Sequence, residues 1–238
     1  MKKRFLMLVF FIIFRTELFA YQLYNIEKPE ENTVESVMKI LEAYYMPIFN
    51  QYLKASFFTA YPEKITLIAI KDERKIEMWF EDEDNKVFIK RYSILGLSGN
   101  LGPKLKDGDK QVPEGFYQML FIHPKSDWHL SIKLNYPNQF DKQMAVKDKR
   151  KNIGKDIYIH GGMGSLGCLA VGDKNIEEIA YIVYKTGIDK IKVIITPYDF
   201  RKKSIFLDSS VKWVKKLYQL LEKELKKYPF IKQADYFF

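Results

Sequence analysis

The amino-acid sequence predicts a mixed α+β fold in which a β-rich central domain is flanked by amphipathic helices. Short β-type runs separated by charged turns fill the middle of the 238-residue chain, and apolar residues recur at helical spacing near both ends. No long repeat or low-complexity block is present, which excludes a solenoid. We expect a signal peptide over residues 1–20, a helical segment over 21–62, the β-rich domain over 63–200 and a C-terminal helical segment over 201–238.

Residues 1–20 have the three parts of a secretory signal peptide. Basic residues at 2–4 precede an apolar run over 5–14, and Ala20 is suited to precede a cleavage site. The apolar run is about half of the ~20 residues that a membrane-spanning helix needs. The sequence therefore predicts a periplasmic protein, and the alternative is an uncleaved signal that anchors the chain in the inner membrane.

The N-terminal segment is expected to contain a helix over residues 33–46. Asn32 and Thr33 are candidate caps, and Pro47 is expected to end the helix because it lacks a backbone N–H. Apolar residues spaced by three and four positions define one face of this helix: Val34, Val37, Met38, Leu41, Tyr44 and Tyr45.

The central domain is expected to consist of β-strands with one internal helix. That helix is predicted over residues 174–185, with Asp173 as its N-cap and Gly187 at its end. The strands are predicted at residues 65–70, 76–80, 87–92, 115–122, 128–135, 156–160 and 190–197.

The C-terminal segment is expected to form an amphipathic helix over residues 208–227, capped near Asp208. Its apolar stripe favours packing on the central domain, and its lysine-rich opposite face is either solvated or faces an anionic surface.

The charge and the cysteine count narrow the function. The net charge of +9 falls to +6 when the predicted signal peptide, with its net +3, is removed. A moderately basic exported protein suits an anionic polymer, and export argues against nucleic acid; the alternative is a solvated basic surface. Because Cys168 is the only cysteine, it cannot form an internal disulfide. It is a buried structural thiol, a partner in an intermolecular disulfide or a reactive group. The residues around it in the sequence distinguish these alternatives.

Residues 157–170 place a histidine and the cysteine on either side of a glycine-rich loop. A β-type run ends at His160, glycines follow at 161, 162, 164 and 167, and Cys168 precedes another apolar pair. A short loop can bring imidazole and thiol within hydrogen-bond reach, as activation of a thiol nucleophile requires. Cys168 would attack a carbonyl carbon, with His160 as proton acceptor and donor. The alternative is a glycine-rich turn beside an inert thiol.

The same loop offers further candidates for the chemistry. Backbone N–H groups of Gly167 and Cys168 are suited to an oxyanion hole, and Ser165 would orient the loop or bind substrate. A three-histidine metal site lacks an accompanying helical motif, so the sequence predicts no metal.

The pattern His-Gly-x-x-x-Ser-x-Gly-Cys over residues 160–168 resembles the active-site signature of the YkuD-type L,D-transpeptidase family. Segments further upstream resemble the YafK-like branch of that family: residues 98–104, 108–110, 113–117, 129–131 and 136–138. The resemblance covers residues 63–200, and several separated motifs occur in the same order.

The resemblance implies a β-rich catalytic domain that acts on peptidoglycan stem peptides without a metal or organic cofactor. Cys168 would attack the bond after the L-centre of the diamino acid at stem position three, and the thioester would pass to an amine. Water as acceptor would instead give a carboxypeptidase or endopeptidase. The resemblance also implies that the carbonyl of Gly161 orients His160.

Other residues are predicted to bind substrate. Ser165 and Gly162 lie in the loop, His129 lies at a strand end within an upstream motif, and Lys104 lies in a loop where it would meet stem-peptide carboxylates. A non-catalytic cell-wall binding module is the alternative from another functional class. The sequence leaves open the oligomeric state, the natural acceptor and whether the pKa of Cys168 is lowered.

Overall fold

The computed structural model describes residues 33–83, 85–204 and 211–231. The predicted signal peptide and the candidate caps Asn32 and Asp208 lie outside these residues. Within the described ranges, no helix combines the length and the apolar character needed to cross a bilayer.

An eight-stranded mixed sheet forms the centre of the molecule, with the strand order β3-β2-β1-β8-β4-β5-β6-β7. The β1–β8 and β6–β7 pairs are parallel, and the other neighbours are antiparallel. The strands are β1 Lys64–Ile70, β2 Lys75–Glu81, β3 Lys86–Ser93, β4 Gly115–Ser126, β5 His129–Leu134, β6 Tyr158–His160, β7 Leu169–Ala170 and β8 Ile191–Thr196.

Helices cover both faces of the sheet. The helices are α1 Val34–Ala55, α2 Gln139–Lys147, α3 Asp173–Thr186 and α4 Val214–Leu225. Helices α1 and α3 pack together in the main core, and α4 packs with the opposite face of β1 and β8 in a second core. The predicted mixed α+β fold with flanking amphipathic helices is confirmed.

Helix α1 continues past Pro47, so the prediction that this proline ends the helix is wrong. Proline removes one i to i−4 hydrogen bond, which normally kinks or breaks a helix. Here the buried face of the helix extends through Phe49 and Tyr52, which are 1% and 3% exposed. Burial of these aromatic side chains offsets the lost hydrogen bond. At the other end, Thr33 caps the helix through a reciprocal pair of hydrogen bonds with Ser36.

The sequence did not predict α2 or β7. Helix α2 begins at a capping box formed by Asn138 and Asp141 but buries only Met144 and Ala145, so it has little apolar periodicity. Strand β7 has two residues and is too short for any pattern. For α3, Gly187 caps the C-terminus as expected, whereas the N-cap is Gly172 rather than Asp173.

The long connection between β3 and β4 is held by a fully buried ion pair. The Nζ atom of Lys71 lies 2.9 Å from Oε1 of Glu114, and both side chains are 0% exposed. Lys71 also donates to the carbonyl of Gly102, and Glu114 accepts a hydrogen bond from the hydroxyl of Tyr218 in α4. The pair therefore ties this connection to both the sheet and the C-terminal helix.

Candidate active site

The sheet places Cys168 and His160 on the same face. Strands β6 and β7 pair in parallel, with Ile159 opposite Leu169 and His160 opposite Ala170. Side chains alternate between the two faces of a sheet along each strand. Ile159 and Leu169 enter the main core, so the residues directly before and after each of them face the other side. Cys168, directly before β7, thus points to the same face as His160, one diagonal position away. Among the described residues the thiol bonds to backbone groups and not to the imidazole of His160.

The thiol of Cys168 contacts the backbone of the strand beside it. Its Sγ atom accepts a hydrogen bond from the N–H of Tyr158 at 3.4 Å and donates to the carbonyl of Asp156 at 3.7 Å. Burial raises the pKa of the Cys168 thiol, and the hydrogen bond from Tyr158 opposes that effect. The resting thiol is therefore protonated at neutral pH.

The imidazole of His160 is buried and fixed at one nitrogen. Its Nδ1 atom lies 2.6 Å from the carbonyl oxygen of Gly161, and the residue is 3% exposed. A carbonyl only accepts, so Nδ1 carries the proton and Nε2 is left as a base. Burial lowers the pKa of His160, and the hydrogen bond to Gly161 opposes that effect. This is the contact that the orienting role of Gly161 requires; the role itself stays a prediction.

The backbone around Cys168 is held by two serine hydroxyls. The N–H of Gly167 donates to Oγ of Ser98 at 2.7 Å, and the hydroxyl of Ser165 donates to the carbonyl of Cys168 at 2.6 Å. Ser165 therefore orients the loop, and Ser98 occupies one of the two N–H groups predicted for the oxyanion hole. A substrate oxygen that uses the N–H of Gly167 has to displace the Ser98 hydroxyl.

Trp128 forms one wall of the site, and the sequence analysis missed it. Its ring centroid lies 5.4 Å from that of His160, and the side chain is half exposed. A Cβ atom at Gly164 would lie 3.2 Å from the indole, and one at Gly162 would lie 3.4 Å from it. The loop glycines thus allow the indole to lie close against the backbone. The available signal was the position of Trp128 directly before His129 in an upstream motif.

His129 lies beside the loop but bonds to helix α3. Its Nε2 atom lies 2.6 Å from Oε1 of Glu177, and this hydrogen bond raises the pKa of His129. Oε2 of Glu177 accepts a hydrogen bond from the hydroxyl of Tyr45 in α1 at 2.8 Å. His129, which was predicted to bind substrate, therefore links the β4–β5 hairpin to helices α1 and α3. The same hairpin contains Trp128.

Asp173 supports the loop rather than capping the helix with its side chain. Its Oδ1 atom accepts a hydrogen bond from the N–H of Gly162 at 2.7 Å. This bond fixes Gly162, which has a φ of +64° that L side chains rarely adopt. The beginning of α3 thus holds one end of the glycine-rich loop over residues 161–167.

Lys104 lies near Cys168 but is largely buried, at 7% exposure. Its Nζ atom donates to the carbonyl of Lys106 and to Oδ1 of Asp109. Its charge lowers the pKa of Cys168, although less than burial raises it. Its predicted role in binding substrate carboxylates stays a prediction, since its ammonium is already paired with Asp109. Within the described residues, no group of three or more His, Cys, Asp or Glu side chains is arranged to hold a metal ion.

Residues 65–195 match the family model described as YkuD, the L,D-transpeptidase catalytic domain. The chain is also 32% identical over 133 residues to the Escherichia coli K12 protein YafK, which carries an L,D-transpeptidase name, and equally to its counterpart in Escherichia coli O157:H7. Each alignment covers 54% of this chain and 52% of the relative. The chain thus aligns with about half the length of these curated relatives.

Solved structures resemble the fold at low identity. The helical cell shape determining protein Pgp2 of Campylobacter jejuni has a TM-score of 0.47 and 16% identity, covering 71% of each chain. Bd1075 of Bdellovibrio bacteriovorus has a TM-score of 0.43 and 20% identity, covering 69% of this chain and 55% of the other. Both scores are below 0.5, so the family assignment rests on the sequence match over residues 65–195.

Proposed function

Since the chain belongs to the L,D-transpeptidase (YkuD) catalytic domain family, we propose that it modifies peptidoglycan stem peptides through a thioester on Cys168. The observation that carries this proposal is the shared sheet face of Cys168 and His160, with Nδ1 of His160 held by Gly161. Because Nε2 is then unprotonated, it can accept the thiol proton.

The proposed reaction has two steps. In the first, Sγ of Cys168 bonds to the carbonyl carbon that follows the L-centre of the diamino acid at stem position three. The C–N bond breaks, and the proton held by His160 passes to the leaving amine. In the second step an amine attacks the thioester, the thiol is released, and a new peptide cross-link forms. If water attacks instead, the thiol is released and the product is a shortened peptide that ends in a free carboxylate.

Two features of the site favour attack by a thiol that loses its proton during the reaction. Burial disfavours the charged forms of both side chains, so the resting pair is neutral. Hydrogen bonds from the backbone N–H groups of Gly167 and Cys168 would then stabilise the oxygen of the tetrahedral intermediate. In this proposal the Ser98 hydroxyl leaves the N–H of Gly167 as the substrate carbonyl enters.

We also propose that the protein works in the periplasm, where peptidoglycan lies. The predicted signal peptide over residues 1–20 supports this location. Its removal lowers the net charge from +9 to +6, which still suits an anionic polymer such as peptidoglycan. An uncleaved signal would place the same domain at the inner membrane.

The test is to incubate the purified protein with tetrapeptide muropeptides and resolve the products by mass spectrometry. We expect loss of the terminal residue with wild-type protein and no loss with Cys168→Ala. Dimers linked between two stem-position-three residues identify transfer, and shortened monomers alone identify hydrolysis.

The matched control is Ser165→Ala, which keeps the nucleophile and removes one hydrogen bond of the loop. It should retain measurable turnover. Muropeptides that stay unchanged with folded wild-type protein would overturn the proposal. Tight binding that survives Cys168→Ala, without any turnover by wild type, would instead identify a binding module.

A further inference from the structure

A row of side chains leads away from Cys168 across four neighbouring segments of the sheet. Phe121 of β4 is opposite Lys133 of β5, and Lys133 is opposite Tyr158 of β6. The N–H of Tyr158 contacts Sγ of Cys168. Residues opposite each other point to the same face, so all four side chains share the face of the nucleophile. With strands ~4.8 Å apart, the backbone of Lys133 lies about 10 Å from that of Cys168.

Lys133 carries a positive charge within this row. Its Nζ atom lies 2.6 Å from Oδ1 of Asp156, 5.6 Å from the ring centroid of Tyr158 and 5.7 Å from that of Phe121. The side chain is 23% exposed. The two aromatic rings and the carboxylate hold the ammonium in one place, and its outer side is open to a ligand.

Asp156 connects the row directly to the nucleophile. Its backbone carbonyl is the acceptor for the Cys168 thiol, and its carboxylate is 44% exposed. The residue has a φ of +61°, in the left-handed region. This conformation lets one residue contact Sγ through its backbone and present its carboxylate to solvent beside Lys133.

Each charge keeps hydrogen-bonding capacity beyond the Lys133–Asp156 contact, and the exposed ammonium of Lys155 lies 3.8 Å from Oδ2 of Asp156. An ammonium has three N–H donors and a carboxylate has two acceptor oxygens with about four lone-pair positions. The pair therefore offers adjacent donors and acceptors of opposite sign. Its complement is a group in which an ammonium and a carboxylate lie on the same carbon atom.

We propose that Lys133 and Asp156 form a subsite for a zwitterionic amino-acid group at the end of the substrate side chain. Lys133 binds the carboxylate of that group, and Asp156 binds its ammonium. This inference rests on the proposed function, because a stem-position-three diamino acid with free side-chain amino and carboxyl groups carries such an end. The ion pair then selects the acyl donor by the charges on its side chain.

The experiment compares three tetrapeptides that differ only at this side-chain end: both groups free, the carboxylate amidated, or the ammonium acetylated. Release of the terminal residue is measured as kcat/KM, because this step is common to transfer and hydrolysis. We expect wild type to prefer the free form over each modified form by about tenfold or more, the scale of a hydrogen bond to a charged group.

The variants separate the two contacts. Lys133→Met should lose the preference for the free over the amidated peptide, and Asp156→Asn should lose the preference for the free over the acetylated peptide. Asparagine tolerates the left-handed backbone of Asp156. The control is Lys155→Met, which removes an 81% exposed lysine whose Nζ lies 3.8 Å from Asp156. This control should keep both preferences.

Three outcomes would overturn the subsite. Equal rates of wild type on all three peptides would do so while leaving the proposed function intact. Preferences that fall equally in Lys133→Met and Lys155→Met would indicate bulk charge instead. If no peptide is turned over, the proposed function fails, and the subsite is judged by calorimetric binding of the same peptides to Cys168→Ala. Equal affinities for the three would then reject it.

Discussion

Burial acts on His160 and Cys168 in the same sense, because it disfavours the charged form of each. The pKa of the thiol is raised and that of the imidazole is lowered. A thiolate–imidazolium pair is therefore not the resting state of the site. In the proposed reaction the proton moves only after the substrate has bound, so the reaction depends on the hydrogen bond that Nδ1 of His160 donates to the carbonyl of Gly161 rather than on a preformed thiolate.

A neutral resting pair of thiol and imidazole predicts how alkylation of Cys168 and kcat/KM depend on pH. We expect alkylation of Cys168 by iodoacetamide to have a midpoint above the ordinary thiol value of ~8.5, since burial favours the protonated thiol. We expect the acid limb of kcat/KM to lie below ~6.5, since a lowered His160 pKa keeps the base unprotonated at more acidic pH. The alkylation midpoint and the acid limb are both obtained from rates measured across a pH series.

The control for alkylation is His160→Ala. It should shift the midpoint only slightly, because a neutral imidazole provides little electrostatic stabilisation of a thiolate. An alkylation midpoint near pH 6 in wild type that rises in His160→Ala would contradict the neutral pair.

At the scale of elements, the β3–β4 connection approaches the glycine-rich loop over residues 161–167 so closely that only glycine fits. Gly96 pairs with Ala170, and a Cβ atom at Gly96 would lie 2.1 Å from the carbonyl oxygen of Met163. A contact with backbone at this distance cannot be relieved by a side-chain rotation. The loop itself would have to move.

We therefore expect Gly96→Ala to lower kcat/KM by about a hundredfold, the loss that follows a misplacement of about 1 Å. Unfolding should become easier by about 1–3 kcal/mol from overpacking. The control is Gly108→Ala, which adds left-handed strain at a φ of +68° but meets no atom within 4 Å. It should retain wild-type kcat/KM, and equal losses in both variants would reject the steric explanation.

Helix α1 offers a second prediction at this scale, based on two adjacent tyrosines. The hydroxyl of Tyr45 donates to Glu177, whereas the buried hydroxyl of Tyr44 has no hydrogen-bond partner within the described part of the chain. We expect Tyr45→Phe to destabilise the protein by about 1 kcal/mol and Tyr44→Phe to be neutral or stabilising. Urea unfolding of the two variants, which lose the same atom, provides the measurement.

The elements also show what the sequence can and cannot predict. His160 and Cys168 were predictable because one short motif holds both. Trp128 and Lys133 come from a separate segment that only strand pairing brings beside them. Local patterns do not contain sheet register, so these neighbours could not be derived from spacing.

The prediction for the end of α1 failed because tertiary packing outweighed a local rule. Proline is an intrinsic breaker, yet Pro47 lies within α1 because the buried face continues to Tyr52. Most strand positions were predictable since their alternation or apolar runs record burial directly. The flanking helices were predictable for the same reason, because each places an apolar stripe on the sheet layer.

At the scale of the whole molecule, the buried pair of Lys71 and Glu114 links three parts of the fold. It joins the end of β1, the β3–β4 connection and α4 through Gly102 and Tyr218. Removing one partner would leave a buried charge without compensation. Such a change lowers the free energy of unfolding far more than the loss of an exposed ion pair does.

We expect Lys71→Met to lower the free energy of unfolding by about 3–5 kcal/mol, measured by chemical denaturation. The double variant Lys71→Met with Glu114→Gln should recover part of this loss, since no charge then remains buried. Lys226→Met, which removes an exposed pair with Glu222, is the control and should change stability by less than about 1 kcal/mol. An equal effect of Lys71→Met and Lys226→Met would contradict the structural role of the buried pair.

The parallel pairing of β1 with β8 has a consequence for the order of folding. Ile65 is opposite Ile191, so the middle of the sheet cannot close until nearly the whole domain has been synthesised. Pairings between distant segments form slowly, because the intervening chain must first lose its conformational freedom. For a chain proposed to cross the inner membrane, this delay leaves more time for export before the domain folds. Until β8 has been synthesised, the sheet lacks the pairing of β1 with β8, and export of an unfolded chain requires such an incomplete fold.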